Sequence, residues 1–439
     1  MCRRWRCIVF ASPRRLDLKL FCTAQRSDNS KTLEIWPELP IVIDVYGSQS
    51  QVNATNVNAA LRHRNRVCKI FHNNVLHPNS PLLKEFAAID EPFPALTALN
   101  LFAFGPNVPV LPDSFLGGSA PHLRSLELYG IPYPSIGTLL SSTTNLVQLH
   151  LLKIPHSGYI APETIVPCLS TLTRLKSLHL GFRYPRSLAH RESRHPPPLT
   201  RVVFPNLTVF NFRGDSEYLE DILSQIETPV LNGCCFFFFN QLVFDTPLLG
   251  DFIRRTETFM ASHALSARVV CLWDYISIQL LDREQMVHDG WQITLAISCT
   301  PLDWQLSALV QVLNSFLPSL SALESLWITG EFYSRQDEIE VAGIQWQELL
   351  HLFASVNAVT LFRKDSGRLV ALALQDLAGE RVTEVLPALR NLTLWTDSWR
   401  PSEPVKEAIE QFIATRQLHG HPVTVHYQDT ESEGRVPVS

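Results

Sequence analysis

Glycine, basic charge, paired cysteines and long hydrophobic runs are all scarce in this sequence, and each shortage removes a class of function. Glycine accounts for only 18 of 439 residues, and neither G-x-x-x-x-G-K-[ST] nor G-x-G-x-x-G occurs. No glycine-rich turn therefore offers its amides to a phosphate, and Gly117-Gly118 is expected to do no more than turn the chain. A G-x-S-x-G elbow and an H-E-x-x-H helix are absent as well, so no catalytic constellation can be assembled. The 9 cysteines are an odd number, scattered, with no C-x-x-C pair, which argues against both a disulfide framework and a zinc site. Lysine and arginine number 37 against 42 acidic residues, a net charge of −5. That leaves no basic surplus for phosphate contacts and disfavours nucleic acid as a main partner.

Hydrophobic runs are short too. The most apolar stretch, Val230–Phe244, is broken by Asn232, Gly233, Asn240 and Gln241 and falls short of the ~20 residues of a spanning helix. At the N-terminus, Met1–Leu16 has only Cys7–Ala11 as a continuous apolar run, too little for a secretory segment. The expectation is a soluble protein of the cytosol or nucleus, with no membrane contact, metal or cofactor.

What the chain does have is 46% hydrophobic and 18% charged residues, a balance at which burial offsets chain entropy. Leucine is roughly one residue in seven, above its usual share, and it is not randomly placed. One phrase recurs: a Pro or Asn, an apolar residue, two variable, an apolar, one variable, an apolar. It occurs at Pro94–Leu101, Pro121–Leu128, Asn145–Leu151, Arg174–Leu180, Pro205–Phe212 and Pro387–Leu394, with weaker copies beginning at Leu323 and Val356. First apolar positions at 96, 123, 146, 175 and 207, and later at 323, 356 and 389, give a spacing of about 23 to 33 residues, that of leucine-rich repeats with helical returns.

In a short strand alternate residues face opposite sides, so Leu99 and Leu101 point inward while Ala98 and Asn100 point out. One repeat leaves its row bare; stacked copies cover it. The fold class expected is α/β: an irregular leucine-rich-repeat solenoid, or horseshoe, with a parallel sheet on the concave side. Helices are expected at Ser80–Ile89, Pro162–Leu172, Ser216–Ile226 behind a Ser216 N-cap, Leu248–Phe259 behind Thr246-Pro247, Leu302–Phe316, Gln345–Ala354, Leu374–Leu386 and Ser402–Gln417. Arg183–Arg201, with Pro196-Pro197-Pro198, is expected as a long solvated loop. Between Val230 and Thr300 the consensus fades, although Arg268–Leu272 and Gln292–Ser298 still have strand character.

Smaller motifs have plain readings. His419, His421 and His426 lie close in sequence but lack a recognisable ligand spacing, and His419-Gly420 suits a helix C-terminus. Two of three glycosylation sequons, at Asn206 and Asn391, fall inside the repeat strands as by-products of the leucine pattern. Cys234-Cys235 and Phe236–Phe239 suggest a strand buried on both faces. More informative are the outward strand positions: Phe102, Tyr129, His150, His179, Asn211, Arg213, Trp327, Phe362 and Trp395. Aromatics and arginine dominate interface energetics, so a protein target is expected on the concave wall, at these residues.

At the N-terminus, Cys2, Arg3, Arg4 and Trp5 resemble the Val-Cys-Arg-x-Trp pattern in the last helix of an F-box. Arg15–Leu20, Trp36-Pro37, Leu39–Ile43, Pro112–Pro121 and Ile154–Tyr159 resemble phrases of the large fungal family of F-box proteins with degenerate leucine-rich repeats. The resemblance divides the chain into residues 1–15 as a remnant of the F-box, 16–427 as the repeat body and 428–439 as a disordered tail. It implies a non-catalytic substrate receptor of a cullin-RING (SCF-type) ubiquitin ligase. In that family the F-box is about three helices docked on a Skp-type adaptor, and most of that surface would lie before Met1. Two alternatives stay open: a truncated gene model, or a repeat module that has lost its ligase link. An enzyme on a repeat scaffold is the reading of another class, and nothing in the residues recommends it.

Overall fold

The computed structural model describes residues 4, 19–23, 33, 39–45, 54–76, 81–105, 108–185, 201–256, 265–282, 291–299, 302–315, 320, 323–330, 336–362, 370–371, 373–375, 377, 381–395 and 403–428. The expected F-box remnant, Arg4 excepted, lies outside the described residues, as do 186–200 of the expected loop and the tail beyond Gln428. The chain forms two units, Met1–Asn211 with Gln225–Pro229, and Phe212–Ser224 with Val230–Ser439.

In the first unit the leucine phrase makes a parallel stack. Strands β1 (Leu20–Thr23), β2 (Ile41–Val45), β3 (Val67–Leu76), β4 (Ala98–Ala103), β5 (Ser125–Tyr129), β6 (Gln148–Ile154) and β7 (Ser177–Phe182) pair in chain order, every pair parallel. Because the last two leucines of each phrase are two residues apart, a strand turns both to one side, and neighbouring phrases align leucine on leucine. Leu99 pairs with Leu126, Leu126 with Leu149 and Leu149 with Leu178, while Leu101, Leu128, Leu151 and Leu180 make the next row. None of these exposes more than 4% of its surface. Each such burial is worth roughly 1.5–3 kcal/mol, and a slip of one residue would turn both rows to solvent.

The first apolar residue of each phrase is fixed by a tight turn. The amide of Leu96 donates to the carbonyl of Phe93, Leu123 to Ala120, Leu146 to Thr143 and Leu175 to Leu172. A second amide ladder enters the strands, with Arg124 donating to Thr97, Val147 to Arg124, Lys176 to Val147 and Thr208 to Lys176. Asparagine extends it: Asn145 Nδ2 donates to the Pro121 carbonyl at 3.1 Å and Asn206 Nδ2 to that of Thr173 at 2.8 Å. This accounts for the Asn206 sequon as a turn residue. Helices Ala54–Leu61, Pro81–Ala87, Ile136–Ser142 and Pro162–Ser170 return the chain between strands, burying side chains such as Leu139, Leu140, Ile165 and Leu169. A separate parallel pair joins β8 (Val202–Val203) to β10 (Ile226–Glu227), on either side of β9 (Val209–Gly214) in sequence. The unit boundary falls inside β9, after Asn211.

The second unit keeps the plan but departs from a wholly parallel sheet. Its strands β11 (Gly233–Phe238), β12 (Leu265–Cys271), β13 (Tyr275–Asp282), β14 (Trp291–Ser298), β15 (Ser325–Gly330), β16 (Ala358–Phe362), β17 (Asn391–Trp395) and β18 (Thr424–Gln428) lie in the order β11, β14, β13, β12, β15, β16, β17, β18. β13 runs antiparallel to both β12 and β14, and the other pairs are parallel. The cause is loop length: β12 and β13 are joined by Leu272–Asp274 alone, and the Leu272 amide donates to the Tyr275 carbonyl. A helical crossover needs a dozen residues or more, so this link can only make a hairpin. It is also why the repeat consensus fades over this stretch. From β15 onward the phrase resumes, with Leu326, Val359 and Leu392 in one buried row and Ile328, Leu361 and Leu394 in the next.

Several local expectations need correction. β11 is not buried on both faces: Cys234, Phe236 and Phe238 are buried and Cys235 and Phe237 are half-buried, an ordinary alternation. Ser216 begins the helix Ser216–Gln225 rather than capping it; its amide donates to Gln241 Oε1 at 2.8 Å. Thr246 does not cap Pro247–Arg255 through its hydroxyl, which faces Ser315 Oγ at 3.2 Å. The cap is Glu220 of the preceding helix, whose two carboxylate oxygens accept from the amides of Leu248 and Leu249 at 2.9 and 2.8 Å. A carboxylate at a helix N-terminus satisfies amides without an internal partner and complements the helix dipole.

The helix expected at Gln345–Ala354 spans Gln336–His351. Of the helix expected at Leu374–Leu386, Leu377 is not helical and Arg381–Glu384 forms a short helix. Leu302–Asn314 and Glu403–Leu418 match their expected positions to within two residues, and Gly420 follows the latter at φ +79°. No helix among the described residues is long and apolar enough to cross a membrane. Each unit is thus a leucine-rich-repeat stack of strand, turn and helix, an α/β fold with an open, mainly parallel sheet.

Candidate functional site

With leucines facing inward, each strand turns its remaining side chains to the opposite face of the sheet. All of the outward residues picked from the sequence, Phe102, Tyr129, His150, His179, Asn211, Arg213, Trp327, Phe362 and Trp395, are there and half-buried. The structure sorts them into groups of different chemistry.

The first unit presents a polar row. Asn100, Glu127, His150 and His179 are register partners in succession on β4 to β7. Asn100 Nδ2 donates to Glu127 Oε2 at 2.8 Å, His150 Nε2 lies 3.1 Å from Ser177 Oγ, and Asn211 Nδ2 lies 3.0 Å from His179 Nε2. The two imidazoles stack with centroids 3.9 Å apart and planes within 13°. Burial holds His150 below the ordinary histidine range and brings His179 down to about 4, where proximity to His150 adds to the effect. Both rings are neutral at pH 7. With Asn211 donating, the unprotonated nitrogen of His179 is Nε2.

This pair makes acid the weak side of the row. Between pH 6.5, where an unfolded histidine titrates, and about 4, the unfolded chain binds a proton that folded His179 refuses. Stability therefore falls as the pH drops through that window and levels off below it. Glu127, raised by burial, acts with the opposite sign, so a variant is needed to isolate the histidine. Thermal unfolding of His179→Gln is expected to lose less between pH 6.5 and 4 than the parent; equal losses would refute the assignment.

Beside this row is an aromatic rim. Phe102 and Tyr129, register partners, stack at 5.1 Å, and Phe104 lies 4.8 Å from Tyr129. Arg183 reaches back from the end of β7 to donate to the Gly105 carbonyl at 3.0 Å, its guanidinium 5.1 Å from the Tyr184 ring. Phe104 and Tyr184 are exposed, at 39% and 50%. Here the described start of the expected solvated loop is anchored.

The second unit presents aromatics and guanidinium groups. Arg213 lies over the Phe237 ring at 4.1 Å, and Phe237 packs against Tyr275 at 5.8 Å. Trp327, Phe362 and Trp395 form a ladder, with centroids 5.3 and 4.7 Å apart and planes within 21° and 22°. Arg268, the register partner of Trp327, sits 5.7 Å above its ring. Sequence reasoning missed Asn100, Glu127, Phe237 and Arg268 as members of these groups. The first two were recoverable from the variable position between paired leucines; Arg268 was not, because the hairpin strand that carries it has no repeat phrase.

Of the residues resembling an F-box, Arg4 is exposed, and Cys2, Arg3 and Trp5 lie outside the described residues. Among the described residues no three His, Cys, Asp or Glu side chains gather as metal ligands would, and His419 Nδ1 is 2.8 Å from the Thr415 carbonyl. A cleft lined by residues that include Phe244, Asp245, Thr246, Gln311 and Ser315 pairs its Asp251 with Arg254 and sets the Thr246 hydroxyl 3.2 Å from Ser315 Oγ.

No family model matches the sequence, and no curated protein does. Among solved structures, the leucine-rich repeat-containing protein LegL7 from Legionella pneumophila aligns at 15% identity over 77% of this chain and 96% of that one, with a TM-score of 0.29. The repeat assignment rests on the chain's own strand register and buried leucine rows.

Proposed function

We propose that this chain is a non-catalytic protein-binding module that holds its target on the outward faces of its sheets. The observation that carries the reading is the clustering of outward aromatic and arginine side chains into partly exposed groups, opposite an inward face that is almost wholly apolar. Aromatic and arginine anchors are the residues in which interface energy concentrates. On this reading the module acts by binding.

In its finer form the proposal is a substrate receptor of an SCF-type ubiquitin ligase, supported by the resemblance of Cys2, Arg3, Arg4 and Trp5 to the end of an F-box. The repeats would select the target and the ligase core would do the chemistry. Co-purification of the protein with a Skp-type adaptor tests this: retention of the adaptor is expected, and failure to retain it overturns the ligase role and leaves the binding module. For the module itself, Tyr129→Ala, Arg213→Ala and Trp327→Ala together are expected to abolish capture of partners that co-purify with the parent; unchanged capture refutes the face assignment.

A further inference from the structure

We draw no further inference here: the strongest candidate, the surface patch of exposed Trp273 in the turn between β12 and β13 and exposed Trp304 in the first turn of the helix Leu302–Asn314, carries nothing because nothing in the structure shows what covers it.

Discussion

Arg416→Leu is expected to lower the free energy of unfolding by roughly 3–5 kcal/mol, although leucine suits the helix Glu403–Leu418 at least as well. Arg416 is wholly buried, and its guanidinium ties that helix to the end of Arg381–Glu384. Nη1 donates to the carbonyls of Val382, Val385 and Leu386 at 3.0, 3.2 and 3.3 Å, and Nη2 to that of Pro387 at 3.2 Å. The last carbonyls of a helix have no internal partner, and here one side chain serves them where water does not reach. Removing it strands several buried acceptors at once. Arg416→Lys is expected to recover only a fraction, because an ammonium cannot reproduce the guanidinium fork. Urea denaturation measures both; a loss below about 1 kcal/mol for leucine would show that the carbonyls find other donors.

A comparable loss, roughly 2–5 kcal/mol, is expected from a single added methyl group in Gly130→Ala. Gly130 follows β5 at φ +69°, and a Cβ there would lie 2.1 Å from the Ala103 carbonyl oxygen at the end of β4. Its amide meanwhile donates to Leu152 of β6 at 2.7 Å, so relief by moving away breaks a hydrogen bond. The displaced strand ends carry Phe102 and Tyr129, and the near-ultraviolet circular dichroism of their stack is expected to change with the melting temperature. Gly420→Ala is the control. Gly420 also has a positive φ, +79°, but nothing lies within 4 Å of the added atom, and the loss should be only about 1 kcal/mol. Equal losses at the two sites would mean that conformation alone, not the close approach, sets the cost at Gly130.

The same contrast between local and distant causes explains what could be read from the sequence. Leu99, Leu126 and Leu178 were legible as core because alternation along a short strand is a local rule, and the outward positions followed from it. Trp327, Phe362 and Trp395 were identifiable one by one, but their stacking depended on a register set by buried leucines in neighbouring repeats. The hairpin of β12 and β13 was hidden because its signal is a missing crossover, not a present motif. The Glu220 cap and the Arg416 tie were hidden for another reason: in each, a side chain on one helix satisfies backbone groups of another some 28 to 34 residues away in sequence. No window of local propensity contains both partners.

The hairpin also governs the order in which the second unit can assemble. In a simple repeat array each new strand finds its edge waiting on the one before it, and structure can spread in a line from any nucleus. Here β12, the next strand made after β11, pairs with β15, while β11 receives β14. The three strands between must therefore form as a small meander of their own and dock as a block, one edge toward each flanking array. Until they do, β11 and β15 each present an open parallel edge, so growth along the unit is halted at this point and resumes only when the insert closes the gap.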